Sequence, residues 1–290
     1  MGDLYAVITA VCWSSAVILF DISTKNFTAI QLNVLKNFIG VFGFILTIIL
    51  FSIPSPNFSQ HDIFTLALSG FLGILIADGL FLESLRRLGS GISAVVSTIY
   101  TPTVFIIAFI LFNETINLHS YIGGVLVLGG ITISVFQPPK TIKKRDLYIG
   151  ILFGIMANIL TAYSVLIIKP IMKNNSVVYV ALYRFSIGFI FGILINILKS
   201  GIKQVIQKFK QGLTNQYVIL GAFLGTYLSV IFWLAGYKYT LAGRAAIYNQ
   251  LSTVFIIILA RVFLKEPMTS KKIIGVSLAI FGAMIVSVSK

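Results

Sequence analysis

An acidic residue inside an apolar segment is the first feature of this sequence that suggests chemistry. Asp78 lies in the segment ILIADGL at residues 74–80. An ionised carboxylate within a membrane is costly unless it is paired, hydrated or protonated. The residues three and four positions away are all apolar, so its own helix supplies no partner. Asp78 is therefore either a site for a proton, a cation or a cationic group of a substrate, or a carboxyl bonded to a neighbouring helix. The first role is favoured, because ionisable groups in membranes usually mark functional sites.

Two basic residues occupy equivalent positions inside other apolar segments. Arg184 lies about seven residues into a predicted helix, roughly 10 Å deep, and Lys36 has the same place in the first half of the chain. A guanidinium can bind a carboxylate or a phosphate through two parallel hydrogen bonds. A long basic side chain can also extend to the lipid headgroups. The sequence leaves both roles open for Arg184 and favours the headgroup role for Lys36, with the two charges toward opposite membrane faces.

Amide, hydroxyl and aromatic side chains recur within the apolar segments. At such depths they either line a polar cavity or form hydrogen bonds between helices. We expect them to form a substrate pocket of mixed apolar and hydrogen-bonding character. The predicted substrate-binding residues are Trp13, Ser14, Asp78, Asn158, Tyr163, Arg184, Tyr227, Trp233, Tyr248, Asn249 and Gln250, and Asp78 is also the predicted coupling residue.

The sequence offers little for enzyme chemistry or for a cofactor. His61 and His119 lie near loops, the single cysteine Cys12 lies in an apolar segment, and no H-E-x-x-H or Walker A pattern occurs. We therefore expect no catalytic residue, no metal and no cofactor. Direct use of ATP is excluded on the same ground.

The composition indicates that lipid surrounds most of the chain. Of 290 residues, 58% are hydrophobic and only 10% are charged, with a mean hydropathy of +0.99. A net charge of +14 would suggest nucleic acid in a soluble protein, but the Lys and Arg residues lie mostly between the apolar segments. We therefore expect a lipid bilayer and a small molecule as partners, and no nucleic acid.

The pattern of apolar segments predicts ten transmembrane helices, because each crossing needs roughly 20 apolar residues. Breaks at 54–56, 138–140 and 199–215 are polar, charged or rich in proline. The predicted helices span 4–22, 28–53, 63–86, 92–113, 119–136, 147–168, 177–198, 215–237, 244–264 and 272–288.

An internal repeat divides the chain into two similar halves. A shift of 152 residues without a gap aligns FLG at 71–73 with FLG at 223–225. Because each half has five helices, an odd number, the second half must enter the membrane from the opposite side. We therefore expect two inverted five-helix repeats at 1–137 and 147–290, joined by a basic loop at 138–146. The same shift pairs Arg86 with Lys238, Gly91 with Gly243, Ala94 with Ala246, Thr101 with Thr253, Glu114 with Glu266, Gly123 with Gly275 and Gly130 with Gly282.

Several motifs resemble those of EamA-type transporters of the drug/metabolite transporter superfamily. They are WSS at 13–15, YRF at 183–185, LRRLGSG at 85–91, Pro102, and the helix ends LFNE at 111–114 and FLKE at 263–266 with spaced glycines after them. The resemblance covers nearly the whole chain and implies ten helices around a central substrate cavity. It leaves the substrate open, because this superfamily carries many metabolites. Val254 stands where a second proline, equivalent to Pro102, is expected.

The distribution of basic residues predicts the orientation of the chain in the cell membrane. Counted together with the basic residues Arg86, Arg244 and Lys272 at the adjoining helix ends, the loops after odd-numbered helices carry 14 Lys or Arg residues, and the other loops with the C-terminus carry 5. Cytoplasmic loops are enriched in Lys and Arg, so both termini are expected outside. The family resemblance implies cytoplasmic termini instead, and we follow the charges of this chain.

These features favour a secondary transporter that works by alternating access. The sequence leaves three modes open: proton coupling through Asp78, exchange and facilitated movement. A channel or a non-transporting membrane sensor is the alternative, and an intramembrane enzyme ranks far behind, because the spans hold no nucleophile with a base. The sequence leaves the oligomeric state open and is compatible with a monomer.

Overall fold

The structure, a computed structural model, describes residues 1–115, 117–135, 142–263 and 270–288. Within these ranges the chain is helical and contains no strand, which confirms the prediction of an all-α protein. The α-helices are α1 (Gly2–Ser23), α2 (Ala29–Leu50), α3 (Gln60–Ser69), α4 (Asp78–Val96), α5 (Tyr100–Phe112), α6 (Leu118–Val135), α7 (Lys144–Leu166), α8 (Lys169–Asn174), α9 (Val177–Ser200), α10 (Ile202–Leu213), α11 (Gln216–Ala222), α12 (Ser229–Tyr239), α13 (Ala242–Asn249), α14 (Leu251–Phe263) and α15 (Ser270–Val288).

Two π-helical segments interrupt the α-helices at equivalent places in the two halves. The first, π1 (Gly70–Ala77), joins α3 to α4, and the second, π2 (Phe223–Leu228), joins α11 to α12. The 152-residue shift places π2 within the stretch equivalent to π1. Segments of this kind widen a helix locally and frequently occur at functional sites.

A sharp break at Gly89 divides the long helical stretch Gln60–Phe112. Gly89 has φ of +72° and ψ of 171°, outside the helical region. Glycine adopts such a positive φ without steric cost because it has no Cβ. The break falls between the predicted helices 63–86 and 92–113.

The lengths of the helices are those of a multi-pass membrane protein. Seven helical stretches among the described residues are long and apolar enough to cross a membrane, and one of them is the 53-residue stretch Gln60–Phe112 that contains the Gly89 break. Two shorter apolar helices occupy Leu118–Gly130 and Ile273–Val286.

The segment predicted as a loop at 199–215 is largely helical. Its helix α10 has apolar residues at 205, 209 and 213, a spacing that places them on one helical face. The Phe209 ring packs against Phe38 of α2 with centroids 4.9 Å apart. The loop prediction gave weight to the lysines and missed this periodicity. α7 also begins at Lys144, before the predicted start at 147. Part of the connecting loop 138–146, and Glu266, lie outside the described residues.

Helices of the two halves pack in equivalent pairs. α1 contacts π2 and α12, and in the same way α7 contacts π1 and α4. α1 also contacts α13 and α14, as α7 contacts α5. α2 and α9, which occupy equivalent places in the halves, contact each other directly.

The last helices of the two halves, α6 and α15, run antiparallel to each other. Gly123 faces the backbone of Gly282, and Gly130 faces the backbone of Gly275. The earlier residue of α6 thus meets the later residue of α15. A Cβ added at Gly123 would lie 2.6 Å from the carbonyl oxygen of Gly282, so the close approach requires glycine.

Candidate functional site

A cavity of about 150 Å³ lies between the two halves of the chain. Its walls come from α1, α2, π1, α4, α7, α9, π2 and α12, and from the helix breaks that precede α5 and α14. The lining residues include the charged Lys36, Asp78 and Arg184, the aromatic Trp13, Phe81, Tyr100, Phe185 and Trp233, and the amides Asn158, Asn249 and Gln250.

Lys36 and Asp78 form an ion pair on the cavity wall. The Nζ of Lys36 lies 2.5 Å from Oδ2 of Asp78, and the two side chains are 3% and 19% exposed. Lys36 also donates a hydrogen bond of 3.0 Å to Oδ1 of Asn37 and lies 5.5 Å from the ring centroid of Phe185. Lys36 therefore does not extend to the headgroups, contrary to the favoured interpretation of its sequence position. It supplies the partner that the helix of Asp78 lacks.

A chain of amide side chains connects this ion pair to π1. Asn37 donates from Nδ2 to Oδ1 of Asn33 at 3.1 Å. Asn33 in turn donates to the carbonyl oxygens of Ile74 and Leu75, at 3.0 and 3.2 Å. Because a buried carbonyl without a donor is costly, Asn33 stabilises the π-helical geometry. The ion pair and the irregular helix beside it therefore form one hydrogen-bonded unit.

Arg184 presents unpaired donors at the cavity. Its side chain is fully buried, Nη2 donates to Oγ of Ser164 at 3.3 Å, and the guanidinium carbon lies 5.7 Å from the ring centroid of Trp233. Nε and Nη1 have no hydrogen-bond partner among the described residues. These two atoms carry three of the five N–H donors of a guanidinium. The carboxylate of Asp78 interacts with Arg184 electrostatically but does not bond to it.

The helices that lead into α5 and α14 are interrupted at equivalent positions beside the cavity. The first interruption is a 3₁₀ turn at Ser97–Ile99, and the second is at Gln250. Nε2 of Gln250 donates to the carbonyl oxygen of Ser97 at 2.9 Å, which links the two breaks. The second break forms although Val254 replaces the proline expected there, so a proline equivalent to Pro102 is not required for it.

The structure brings most of the predicted substrate-binding residues to one cavity. The predicted residues that line it are Trp13, Asp78, Asn158, Arg184, Trp233, Asn249 and Gln250. All of these residues lie within the predicted helices.

Four predicted residues lie outside the lining. Ser14 is fully buried and donates to a carbonyl of its own helix. Tyr163 is 39% exposed, Tyr248 is buried in an apolar cluster with the last helices, and the hydroxyl of Tyr227 lies 2.6 Å from that of Thr47. Each residue turns a helix by about 100°, so a neighbour at the same depth points elsewhere.

Several residues of the cavity wall and of the hydrogen-bonded chain beside it were not predicted as substrate-binding residues, and one group of them left a signal in the sequence. Asn33, Lys36 and Asn37 follow the spacing i, i+3 and i+4, which places three polar residues on one face of an apolar helix. Tyr100 and Phe185 gave no such signal, because single aromatic residues are common throughout the apolar segments. The hydroxyl of Tyr100 lies 2.6 Å from that of Tyr237.

No group of three or more His, Cys, Asp or Glu residues that could hold a metal ion occurs among the described residues. The three charged side chains of the cavity are two cations and one carboxylate. Such a wall suits the recognition of a polar or charged ligand.

Comparisons with known proteins cover nearly all of this chain. The sequence profile of the EamA-like transporter family matches residues 1–136 and 148–288. The uncharacterized transporter YetK of Bacillus subtilis (strain 168) is 23% identical over 249 residues, which are 85% of this chain and 75% of YetK. An uncharacterized transporter of Archaeoglobus fulgidus is 19% identical over 282 residues, or 97% of this chain and 96% of the relative. A protein of known crystal structure, 14% identical, shares the fold with a TM-score of 0.78 over 99% of this chain and 96% of its own.

Proposed function

This chain belongs to the EamA-like transporter family of the drug/metabolite transporter superfamily and is a membrane transporter, and we propose that it moves a small molecule as a secondary transporter by alternating access. The observation that carries the proposal is the cavity between the two halves, with its ion pair and its unpaired guanidinium. A binding site between two repeats can be exposed to either side of the membrane when one half moves against the other.

The proposed architecture is ten transmembrane helices in two inverted repeats, at 1–137 and 147–290. Three observations support it: the equivalent contacts of α1 and α7, the equivalent positions of π1 and π2, and the antiparallel pairing of α6 with α15. A two-fold axis in the membrane plane relates helices of opposite direction. The Gly89 break separates the third crossing from the fourth in this arrangement.

Ion pairs between the halves provide contacts that can open in turn. One of them joins Lys169 to Glu114, and two others involve the first turns of α1 and α7. Asp3, at the start of α1, lies 2.7 Å from Nη2 of Arg244. Asp146, at the equivalent start of α7, lies 2.6 Å from Nη1 of Arg87. In the inverted arrangement these pairs lie at opposite ends of the bundle. Partly exposed ion pairs contribute only about 0–1 kcal/mol each, so either can break without a large cost.

Asp78 is the proposed coupling residue. A proton on Asp78 would remove the charge that Lys36 balances, and the cavity wall would then carry the two cations Lys36 and Arg184. The charge seen by a substrate therefore depends on whether Asp78 holds a proton. Among the cavity-lining residues, Lys36 and Arg184 are the charged groups that face Asp78.

Counterflow in proteoliposomes tests the transport function. Compounds from metabolite pools would first be selected by whether they raise the melting temperature of the purified protein. Each selected compound would then be loaded inside the proteoliposomes, and a radiolabelled trace of the same compound would be added outside. A carrier shows saturable uptake that the trans compound accelerates, and empty liposomes supply the background. Uptake without trans-stimulation would indicate a channel, and binding without any uptake would indicate a sensor; either result contradicts the proposal.

We place the protein in the cell membrane with both termini outside. The charge bias of the loops supports this orientation. α10 adds to it, because this surface helix carries exposed lysines at 203 and 210, which suit the anionic cytoplasmic leaflet. We propose a monomer, because the two repeats that enclose the cavity belong to the same chain.

A further inference from the structure

We propose that the cavity binds the carboxylate of a small organic acid with an apolar or aromatic body, and that Arg184 is the residue that binds it. This inference rests on the proposed function, because it assigns a substrate class to the same cavity. It is carried by three features: the charge balance of the wall, the unpaired donors of Arg184 and the aromatic side chains that line the cavity.

The charge balance of the cavity favours an anion with a single charge. Lys36 and Asp78 neutralise each other at 2.5 Å, and Arg184 is left as a buried cation with no bonded counter-ion in the described part of the chain. A buried charge is costly unless it is paired and hydrogen-bonded. One carboxylate brings the wall to neutrality, whereas a cationic ligand would add to the excess of positive charge.

The donors of Arg184 match the oxygens of a carboxylate. The N–H groups on Nε and Nη1 are unpaired among the described residues. A planar guanidinium has two forks of parallel donors, Nε with Nη2 and Nη1 with Nη2. Nη2 has a second N–H besides the one that it donates to Ser164, so one complete fork remains for the two oxygens of a carboxylate. Charge-assisted bonds of this kind are the strongest hydrogen bonds that a binding site can offer to an anion.

The guanidinium is held in place before any ligand binds. The backbone of Arg184 packs so closely on Gly70 of π1 that an added Cβ would lie 2.5 Å from the Arg184 carbonyl oxygen. Its partner Ser164 accepts a bond of 2.6 Å from Ser69 through its backbone carbonyl. The guanidinium also lies over the ring of Trp233. A donor fixed in this way loses little conformational entropy when a ligand arrives.

The remaining surface suits an apolar body of limited size. Aromatic side chains from α1, α4, α5, α9 and α12 face the cavity. A protein cavity of about 150 Å³ holds a ligand the size of one six-membered ring. A carboxylate on a single ring or on a short aliphatic chain therefore fits both the charge and the volume.

Both tryptophans of the chain line the cavity, which supplies a direct reporter of binding. The sequence contains two tryptophans, and they are the lining residues Trp13 and Trp233. The intrinsic fluorescence of the purified full-length protein would be titrated with propionate, benzoate and phenylacetate. Each acid would be compared with its uncharged alcohol, and benzylammonium and inorganic phosphate would be included as a cationic and a small inorganic probe. We expect saturable changes with at least one acid, at least about tenfold tighter than its alcohol, which corresponds to roughly 1.4 kcal/mol.

Substitution of Arg184 decides whether this residue binds the carboxylate. In Arg184→Gln we expect the preference for acid over alcohol to disappear, and in Arg184→Lys, which keeps the charge but not the fork, we expect it to be reduced. Arg86→Gln is the matched control, because Arg86 pairs with Glu83 on an exposed surface away from the cavity. Size-exclusion elution and melting temperature establish that each variant is folded, and if Arg184→Gln does not fold, Arg184→Lys alone carries the comparison.

The outcomes that overturn the inference differ from those that overturn the transport function. If none of the three acids binds more tightly than its alcohol, if benzylammonium or phosphate binds best, or if folded Arg184 variants keep the full preference, the inference is wrong, and counterflow can still show transport of another class. If the acids bind through Arg184 but show no trans-stimulated movement, the inference holds and the proposed function fails.

Discussion

Nζ of Lys36 lies 2.5 Å from Oδ2 of Asp78, across the contact between α2 and the helix that follows π1. The two residues are 42 positions apart in the sequence. Neither residue has a partner of opposite charge on its own helix face. The negative charge of Asp78, which a proton would remove, lies with Arg184 on the wall of the cavity from which we infer transport.

Removal of one member of this pair is expected to impair both stability and coupling. Asp78→Asn leaves Lys36 buried without a counter-ion, and loss of one partner of a buried pair costs roughly 3–5 kcal/mol. We expect a lower melting temperature and loss of uptake driven by a pH gradient in proteoliposomes. The double variant Lys36→Met with Asp78→Asn removes both charges and should recover most of the stability but not the pH-driven uptake. Unchanged pH-driven uptake in folded Asp78→Asn would contradict the coupling role.

The ion pairs at the two ends of the bundle are expected to control access to the cavity. Asp146→Arg places a second cation beside Arg87, and the repulsion should open that end of the bundle. A cysteine introduced in the cavity should then be modified faster by a reagent added on that side. The exchange Arg87→Asp with Asp146→Arg restores an ion pair and should restore the labelling rate. The equivalent exchange at Asp3 and Arg244 should act on the opposite side. If Asp146→Arg does not raise the labelling rate, or if the exchange does not lower it again, the gating role is contradicted.

Gly70 is expected to tolerate no side chain, because α9 passes directly over it. In Gly70→Ala the added Cβ would lie 2.5 Å from the carbonyl oxygen and 2.9 Å from the Cα of Arg184. Overpacking of this kind costs typically about 1–3 kcal/mol, and it would also displace the guanidinium. We expect a lower melting temperature and weaker binding of organic acids. Gly91→Ala is the control, because nothing lies within 4 Å of a Cβ at that position, and equal effects at the two glycines would contradict this explanation.

The orientation of the chain can be measured by labelling of single cysteines. In a Cys12→Ser background, Lys173→Cys and Lys203→Cys place exposed thiols at the end of α8 and on α10. With both termini outside, a membrane-impermeant maleimide should label position 173 in intact cells and position 203 only after the cells are opened. The reverse pattern would show that the charge bias misassigns the orientation.

The sequence determined the class of protein and which apolar helices carry its polar residues. Apolar segments of membrane length fix the all-helical fold, because backbone groups in lipid must be bonded within a helix. The repeat in register at 152 residues anticipated the equivalent contacts of the two halves. Asp78 and Arg184 were selected as site residues because charged groups in such segments are uncommon, and both line one cavity.

Only the tertiary structure decided which side chains meet. Sequence position gives the depth of a residue, but the rotation of each helix and its neighbours come from packing between segments far apart in the chain. For this reason Tyr227 and Tyr248 point away from the cavity, while Lys36, which was expected at the headgroups, pairs with Asp78. Nε and Nη1 of Arg184 have no partner within the described ranges, and this became evident only from the positions of all the neighbouring helices.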